Sequence, residues 1–305
     1  MKKTPAFCAA VALACSVGPT LAADLPSVKE PVVIPPPPPA WTGFYFGGNV
    51  GAAFDASPGV TTSPFPLYND VANTVGLSAG TYFGTASAAS IPTNGNVSGA
   101  GVIGGGQVGF NWQFGALVAG LEADIQGTAQ GGYENLAGAA VEPVTQSTIT
   151  STASLNKTLN YLGTVRARVG FLITPTLLLF GSGGLAYGGM GFSVNVTQTS
   201  STSVFPASAV SAYYNDAQIG WSVGGGAEWL FWPNWSAKLE YLYYDLGTQT
   251  ASIAFAGPTT SSGGSSVVLY AAGYQSSTRF NGHVVRAGVN YHFQWFKPAT
   301  VVAKY

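Results

Sequence analysis

Between residues 101 and 114 the chain alternates with a period of two. Val102, Val108, Phe110, Trp112 and Phe114 fall on one side of an extended backbone; Gly105, Gln107, Gly109, Asn111 and Gln113 fall on the other. Successive side chains of a strand point to opposite faces, so this reads as a strand with one apolar face. The device recurs. Leu117, Ala119, Leu121, Ala123 and Ile125 oppose Gly120, Glu122, Asp124 and Gln126, and Leu159, Tyr161, Val165, Val169 and Phe171 oppose Asn160, Thr164, Arg166 and Arg168. Farther on, Ile219, Trp221, Val223, Ala227, Trp229 and Phe231 face away from Gln218, Ser222, Gly224 and Glu228. Trp235, Ala237, Leu239, Tyr241 and Tyr243 face away from Ser236, Lys238, Glu240 and Tyr244, and Val285, Ala287, Val289, Tyr291 and Phe293 from Arg286, Gly288, Asn290 and His292. Residues 44–54 and 177–192 are two further, glycine-rich strands whose facing the pattern leaves open.

About eight strands result, joined in two ways. Tight turns are expected near Gly115, Thr174-Pro175 and Trp232-Pro233-Asn234. They alternate with long stretches rich in Ser, Thr and Gly, roughly residues 55–99, 128–157, 193–216 and 248–279, which read as loops. The sense of the alternation decides the setting. Trp112, Phe114, Phe231, Trp235, Tyr291 and Phe293 sit near strand ends on the apolar side, as interfacial aromatic girdles do. The other side carries charges that a protein core could not bury so freely. Charged residues make up only 8% of the chain against 47% hydrophobic and 13% aromatic. So little charge would solvate a water-facing surface poorly, and so many aromatic residues do not suit a disordered chain. An apolar exterior around a polar interior must close on itself in lipid, where an open sheet edge has no hydrogen-bond partner. The expected fold is all-β, a closed antiparallel up-and-down transmembrane barrel.

The N-terminus is organised differently. Lys2 and Lys3, an apolar run from Ala6 to Val17 and the small-residue stretch Thr20-Leu21-Ala22 form a secretory signal, expected to be cleaved after residue 22. Both cysteines, Cys8 and Cys15, lie within it, so the mature chain has no thiol for a disulfide, a zinc site or a nucleophile. Residues 23–40 form a proline-rich spacer, 41–293 the barrel and 294–305 a C-terminal tail. Polyproline rises about 3.1 Å per residue, so the spacer spans roughly 50 Å. The whole chain carries a net charge of −1, and no basic patch invites nucleic acid.

Several stretches carry a resemblance: Trp41-Thr42-Gly43-Phe44-Tyr45, residues 105–112, 120–124, Thr164-Val165-Arg166-Ala167-Arg168, residues 183–187, 225–228, 238–247 and 285–293. They touch every expected strand. On them the chain resembles the small outer-membrane β-barrel proteins of alphaproteobacteria, called outer-membrane immunogenic or porin-like proteins, whose barrel is related to the transmembrane domain of OmpA-type proteins. The resemblance implies the outer membrane of a Gram-negative cell, long loops outside and both termini in the periplasm. It implies membrane lipid and lipopolysaccharide as surroundings and the barrel-assembly machinery as a partner. Arg286, Gly288, Tyr291 and Phe293 fit the polar-x-Gly-x-x-aromatic-x-aromatic assembly signal, although the chain continues past it to Tyr305. Some relatives are tied to peptidoglycan through an Ala-Asp terminus, which Ala23-Asp24 would supply after cleavage.

Candidate chemistry is concentrated on the inward face. Glu122, Asp124, Glu228 and Glu240 match Arg166, Arg168, Lys238 and Arg286 in number, giving either a paired plug or the selective lining of a narrow pore. Of the two histidines, His283 and His292 face opposite sides, with no patterned Ser–acid partner. Residues 104–109 fit G-x-G-x-x-G but run on into a strand rather than a helix, which argues against a nucleotide loop. No enzyme, cofactor or metal is expected. The leading function is an envelope-stabilising barrel with surface-exposed loops; the alternatives are a small porin-like channel and a loop-mediated binding protein.

Overall fold

The structure is a computed structural model that describes residues 41–69, 82–202, 207–256, 259–262, 265–268 and 270–293. The expected signal (1–22), spacer (23–40) with Ala23 and Asp24, and tail (294–305) lie outside the described residues. In chain order the elements are β1 (Gly43–Asp55), β2 (Gly59–Asn69), α1 (Phe83–Ala89), β3 (Asn94–Asn96), β4 (Ala100–Phe114), β5 (Leu117–Val141), β6 (Thr148–Thr174), β7 (Leu177–Ser200), β8 (Ser208–Trp232), β9 (Trp235–Ala256), β10 (Thr259–Ser262), β11 (Ser265–Val268) and β12 (Tyr270–His292).

Eight of these strands form a closed antiparallel ring in the order β1, β4, β5, β6, β7, β8, β9, β12, with β12 returning to β1. One end of the ring is closed by two-residue turns, Gly115-Ala116, Pro175-Thr176 and Pro233-Asn234. Gly115 takes φ +63°, a conformation that an L side chain adopts only at a cost. Outward from that end, Phe44, Val108, Trp112, Leu121, Val169, Leu185, Leu239 and Val289 are among a continuous band of exposed apolar side chains. This lower part of the ring is termed the belt.

Above the belt the strands do not stop. β5 to β9 and β12 run for 22 to 27 residues, where about 9–11 suffice to cross a bilayer. Most of residues 128–157, 193–216 and 248–279 is therefore strand, which corrects the expectation of long loops there. Thr and Ser suggested coil, but Thr is a good strand former and here alternates with apolar residues. The extension is termed the crown. Beyond a break at residues 56–58, β2 carries the line of β1 upward along β12. The helix α1 packs Phe83, Ala86 and Ala88 into the crown's apolar interior beside Val60, Ile149, Leu155, Val194 and Val196.

Bulges mark the boundary between belt and crown. Asn160 of β6 lies unpaired between Leu159, opposite Met190 of β7, and Tyr161, opposite Gly189, and Leu246 with Gly247 of β9 oppose Phe280 of β12. A bulge adds a residue to one strand and so swaps the faces of everything beyond it. In β6, Val165, Val169 and Phe171 point out whereas Leu159, Leu155 and Ile149 are buried. Leu159 thus lies inside, not on the outward face on which uninterrupted alternation places it.

Candidate functional site

The interior of the belt is filled in layers. Its floor is Trp41, whose indole Nε1 donates to the Pro175 carbonyl (3.1 Å) and whose backbone N–H donates to Gln113 Oε1 (3.2 Å). Val118, Leu178, Phe180 and Leu230 surround the ring, and His292 meets it edge-on at 5.7 Å. An apolar stopper therefore closes the short-turn end.

Directly above, all eight inward charges meet in one ion network. Arg166 reaches Glu122 (2.7 Å), Asp124 (3.0 Å) and Glu240 (2.5 Å). Arg286 spans Asp124 (2.9 Å) and Glu240 (2.7 Å), Lys238 binds Glu122 (2.8 Å), and Arg168 binds Glu228 (2.6 Å). Register explains the convergence: Glu122 pairs with Arg166 across β5 and β6, Glu228 with Lys238 across β8 and β9, and Glu240 with Arg286 across β9 and β12. Side-chain exposure across the eight is between 0% and 3%. Four acids balance four bases, and each carboxylate accepts from more than one donor. Such geometry is what a buried charge needs to offset its desolvation.

Two participants escaped the pattern. Tyr45, from a strand of open facing, donates to Glu122 (2.7 Å) and accepts from Arg168 (2.9 Å). Its phenol passes over Gly109, where a Cβ would fall 2.3 Å from the hydroxyl oxygen. The G-x-G-x-x-G run is thus strand wall, and one of its glycines makes room for a network member. Phe44, Phe46 and Val50 on the alternate positions of β1 could have placed Tyr45 inside. Trp41 gave no alternation signal because it precedes the strand.

His292 corrects a second expectation. Its Nε2 lies 2.9 Å from Ser236 Oγ and 3.4 Å from Glu228, and Ser236 donates to the same carboxylate (2.6 Å). Ser, His and acid do meet. In a hydrolytic triad the acid holds one ring nitrogen and the serine the other. Here both partners share Nε2, and all three side chains are buried. The trio is a hydrogen-bonded extension of the network. His283 faces outward against Tyr241 and Tyr243.

Of the expected assembly signal, Arg286 and Gly288 face inward and Tyr291 and Phe293 outward; Tyr291 packs on Trp235 (5.2 Å) and Phe293 (5.1 Å). At the upper edge of the belt, Asp55 holds Lys157 (3.3 Å) and accepts from Gln130 (2.9 Å) and from Gly99 N–H (2.9 Å). Lys157 also donates to the Arg279 carbonyl (2.8 Å), tying β6 to the bulge region of β12.

A closed ring of apolar exterior and ionic interior is the fold of an outer-membrane barrel, and the family model for the outer membrane protein beta-barrel domain matches residues 9–293. The chain belongs to that family. It is 29% identical over 255 residues to the 31 kDa outer-membrane immunogenic protein of Brucella melitensis biotype 1, covering 83% of this chain and 84% of that protein. It is 31% identical over 147 residues to the 22 kDa outer membrane protein of Rhizobium leguminosarum bv. viciae, covering 46% of this chain and 52% of that one. Among solved structures, the outer membrane protein OprG from Pseudomonas aeruginosa aligns over 83% of this chain and 97% of its own, at 11% identity and a TM-score of 0.36. As a member of this family, the chain is an outer-membrane β-barrel protein.

Proposed function

We propose that this barrel is an occluded structural element of the envelope, with the crown outside the cell and the short-turn end in the periplasm. One observation carries the reading: the lumen is filled by successive side-chain layers, the Trp41 floor, the eight-charge network and an apolar crown packed with α1. Ions would have to displace partnered charges that show almost no exposure, so the network acts as a plug rather than a selectivity filter. The test is planar-bilayer conductance of the refolded mature chain, with folding verified by heat-shifted gel mobility. Silence is expected from the wild type; steady, salt-dependent unitary openings would establish the porin-like alternative.

The finer reading is a tether. Trp41, the first described residue, lies in the floor at the short-turn end. On this proposal Ala23 follows signal cleavage and joins peptidoglycan, and the proline-rich spacer bridges the gap. Muropeptide mass spectrometry of cells making the protein should recover an N-terminal Ala-Asp peptide on a stem peptide. Its absence from barrel-containing envelopes would remove the tether and leave the plug reading intact.

A further inference from the structure

The outer wall of the crown carries a patch unlike the rest of it. Higher on β6 and β7 its exposed positions are mostly hydroxyls, Thr150, Thr152, Thr197 and Thr199, with Asn195 among them. Where β6, β7 and β8 leave the belt, asparagines take over: Asn156, Asn160 and Asn215 line a depression of about 220 Å³ with Thr158, Ser193 and Tyr213. Asparagine is disfavoured in strands, so two on β6 and one on β8 around a single depression are not there for sheet propensity. Register shows how the hollow arises. One row across the wall reads Tyr133, Asn156, Ser193, Tyr213, and the row beneath reads Gly131, Thr158, Gly191, Asn215. Gly191 supplies the floor of the depression, and the row above is bounded by two tyrosines exposed by 63% and 71%. At a strand spacing of about 4.8 Å, those tyrosines stand roughly 14 Å apart.

The chemistry selects a ligand class. No charged side chain lines the depression, so it does not select an ion. Each asparagine amide offers a donor and an acceptor side by side, which matches adjacent hydroxyls that both give and accept. Tyr213 adds an aromatic face for the C–H side of a ring, with its own hydroxyl at the edge. We infer that this depression is a binding site for a neutral, hydroxyl-rich saccharide.

Its height on the barrel suggests the source. Just below it, Tyr161 lies over Gly189 and Tyr187 over Gly163, so close that a Cβ on either glycine would meet the ring within 2.4 Å. Tyrosines at this level mark the interface between lipid and water. The depression therefore faces the sugar layer next to the membrane, and on the outer-membrane reading with the crown outside, that layer is lipopolysaccharide. Saccharide recognition itself does not depend on the plug or on the tether.

The test is calorimetric titration of the refolded full chain in detergent with two probes. One is the dephosphorylated core oligosaccharide released from lipopolysaccharide by mild acid, titrated at high salt so that its remaining carboxylate is screened; the other is maltoheptaose, a neutral glucan with no lipid origin. The double variant Tyr213→Ala/Asn215→Ala should bind at least tenfold more weakly than the wild type, with heat-shifted mobility preserved. Thr197→Ala, higher on the wall, should bind as the wild type does. Preference for the core oligosaccharide assigns the site to lipopolysaccharide, and equal or better binding of maltoheptaose assigns it to a soluble glycan. Binding of neither, or equal binding by wild type and double variant, overturns the proposal. If the double variant does not fold, Asn156→Ala carries the same comparison.

Discussion

Belt and crown share strands and backbone hydrogen bonds, yet they sort side chains in opposite senses. In the belt Val169, Leu185 and Leu239 face out while Arg166 and Glu240 face in; in the crown Leu155, Val194 and Val196 face in while Thr152 and Thr197 face out. Lipid surrounds one region and water the other, so each outer face matches its own solvent. The chain makes this inversion in two ways. β7 keeps its geometry and changes its composition: even-numbered positions face in throughout, and only the residue types switch. β6 keeps its composition and changes its geometry: odd-numbered positions are predominantly apolar on both sides of Asn160, with Ser151 and Lys157 the polar ones beyond it, and the bulge turns them from outside to inside. Strand patterning therefore reports the solvent only together with the bulges.

The largest loss is expected from inside the belt. Arg166→Ala leaves Glu122, Asp124 and Glu240 short of a donor, and removing one partner of a buried pair costs about 3–5 kcal/mol. Urea unfolding in micelles should show a loss of that order, and a loss under 1 kcal/mol would mean that water reaches the network. Next is a matched pair on the outer wall. Val169→Arg should cost about 2–4 kcal/mol where the bilayer is deepest, and Thr197→Arg should stay within about 0.5 kcal/mol. Equal costs would erase the boundary between belt and crown. Smaller again is Gly247→Ala at the β9 bulge, where φ is +87°. A strained L residue there should destabilise by about 1–2 kcal/mol, read as a lower unfolding temperature.

The gentlest probe is acid on the hairpin between β5 and β6. Burial raises the Glu142 pKa, but hydrogen bonds from the Thr145 hydroxyl and from the Thr145, Val144 and Tyr82 N–H groups outweigh it and hold the pKa below the usual carboxylate range. The side chain is covered by its own turn and by the residue leading into α1. A depressed folded pKa means that the charge contributes at neutral pH and that its contribution fades as pH falls below about 4.3. Protection factors of the Val144 and Thr145 amides, corrected for the intrinsic pH dependence of exchange, should fall over that range in the wild type. In Glu142→Gln they should be low at every pH.

Much of the belt was legible from sequence because its two faces differ so sharply. Val165-Arg166-Ala167-Arg168-Val169 assigns each side chain without ambiguity, and the eight inward charges could be named before any contact was known. The crown was hidden by composition. Ile149, Ala153 and Leu155 do alternate with Thr150, Thr152 and Ser154, but small hydroxyl residues resemble loop sequence when the window is short. Convergence of the charges depended on register, which no single strand encodes. Trp41, Tyr45 and α1 act across the barrel from positions far away in sequence, and Leu159 was misplaced because one unpaired residue reversed the count.

Trp41 also has a mechanical meaning. A pull on the chain ahead of it would first load the indole, wedged in the floor and bonded to Pro175. The force would then run along β1, which is paired with β4 on one side and β12 on the other over nearly its whole length. Those hydrogen bonds lie across the pulling direction and share the strain together, in shear, rather than opening one by one like a zipper. Were the proposed tether to carry load, the barrel would resist it at its N-terminal end in this way.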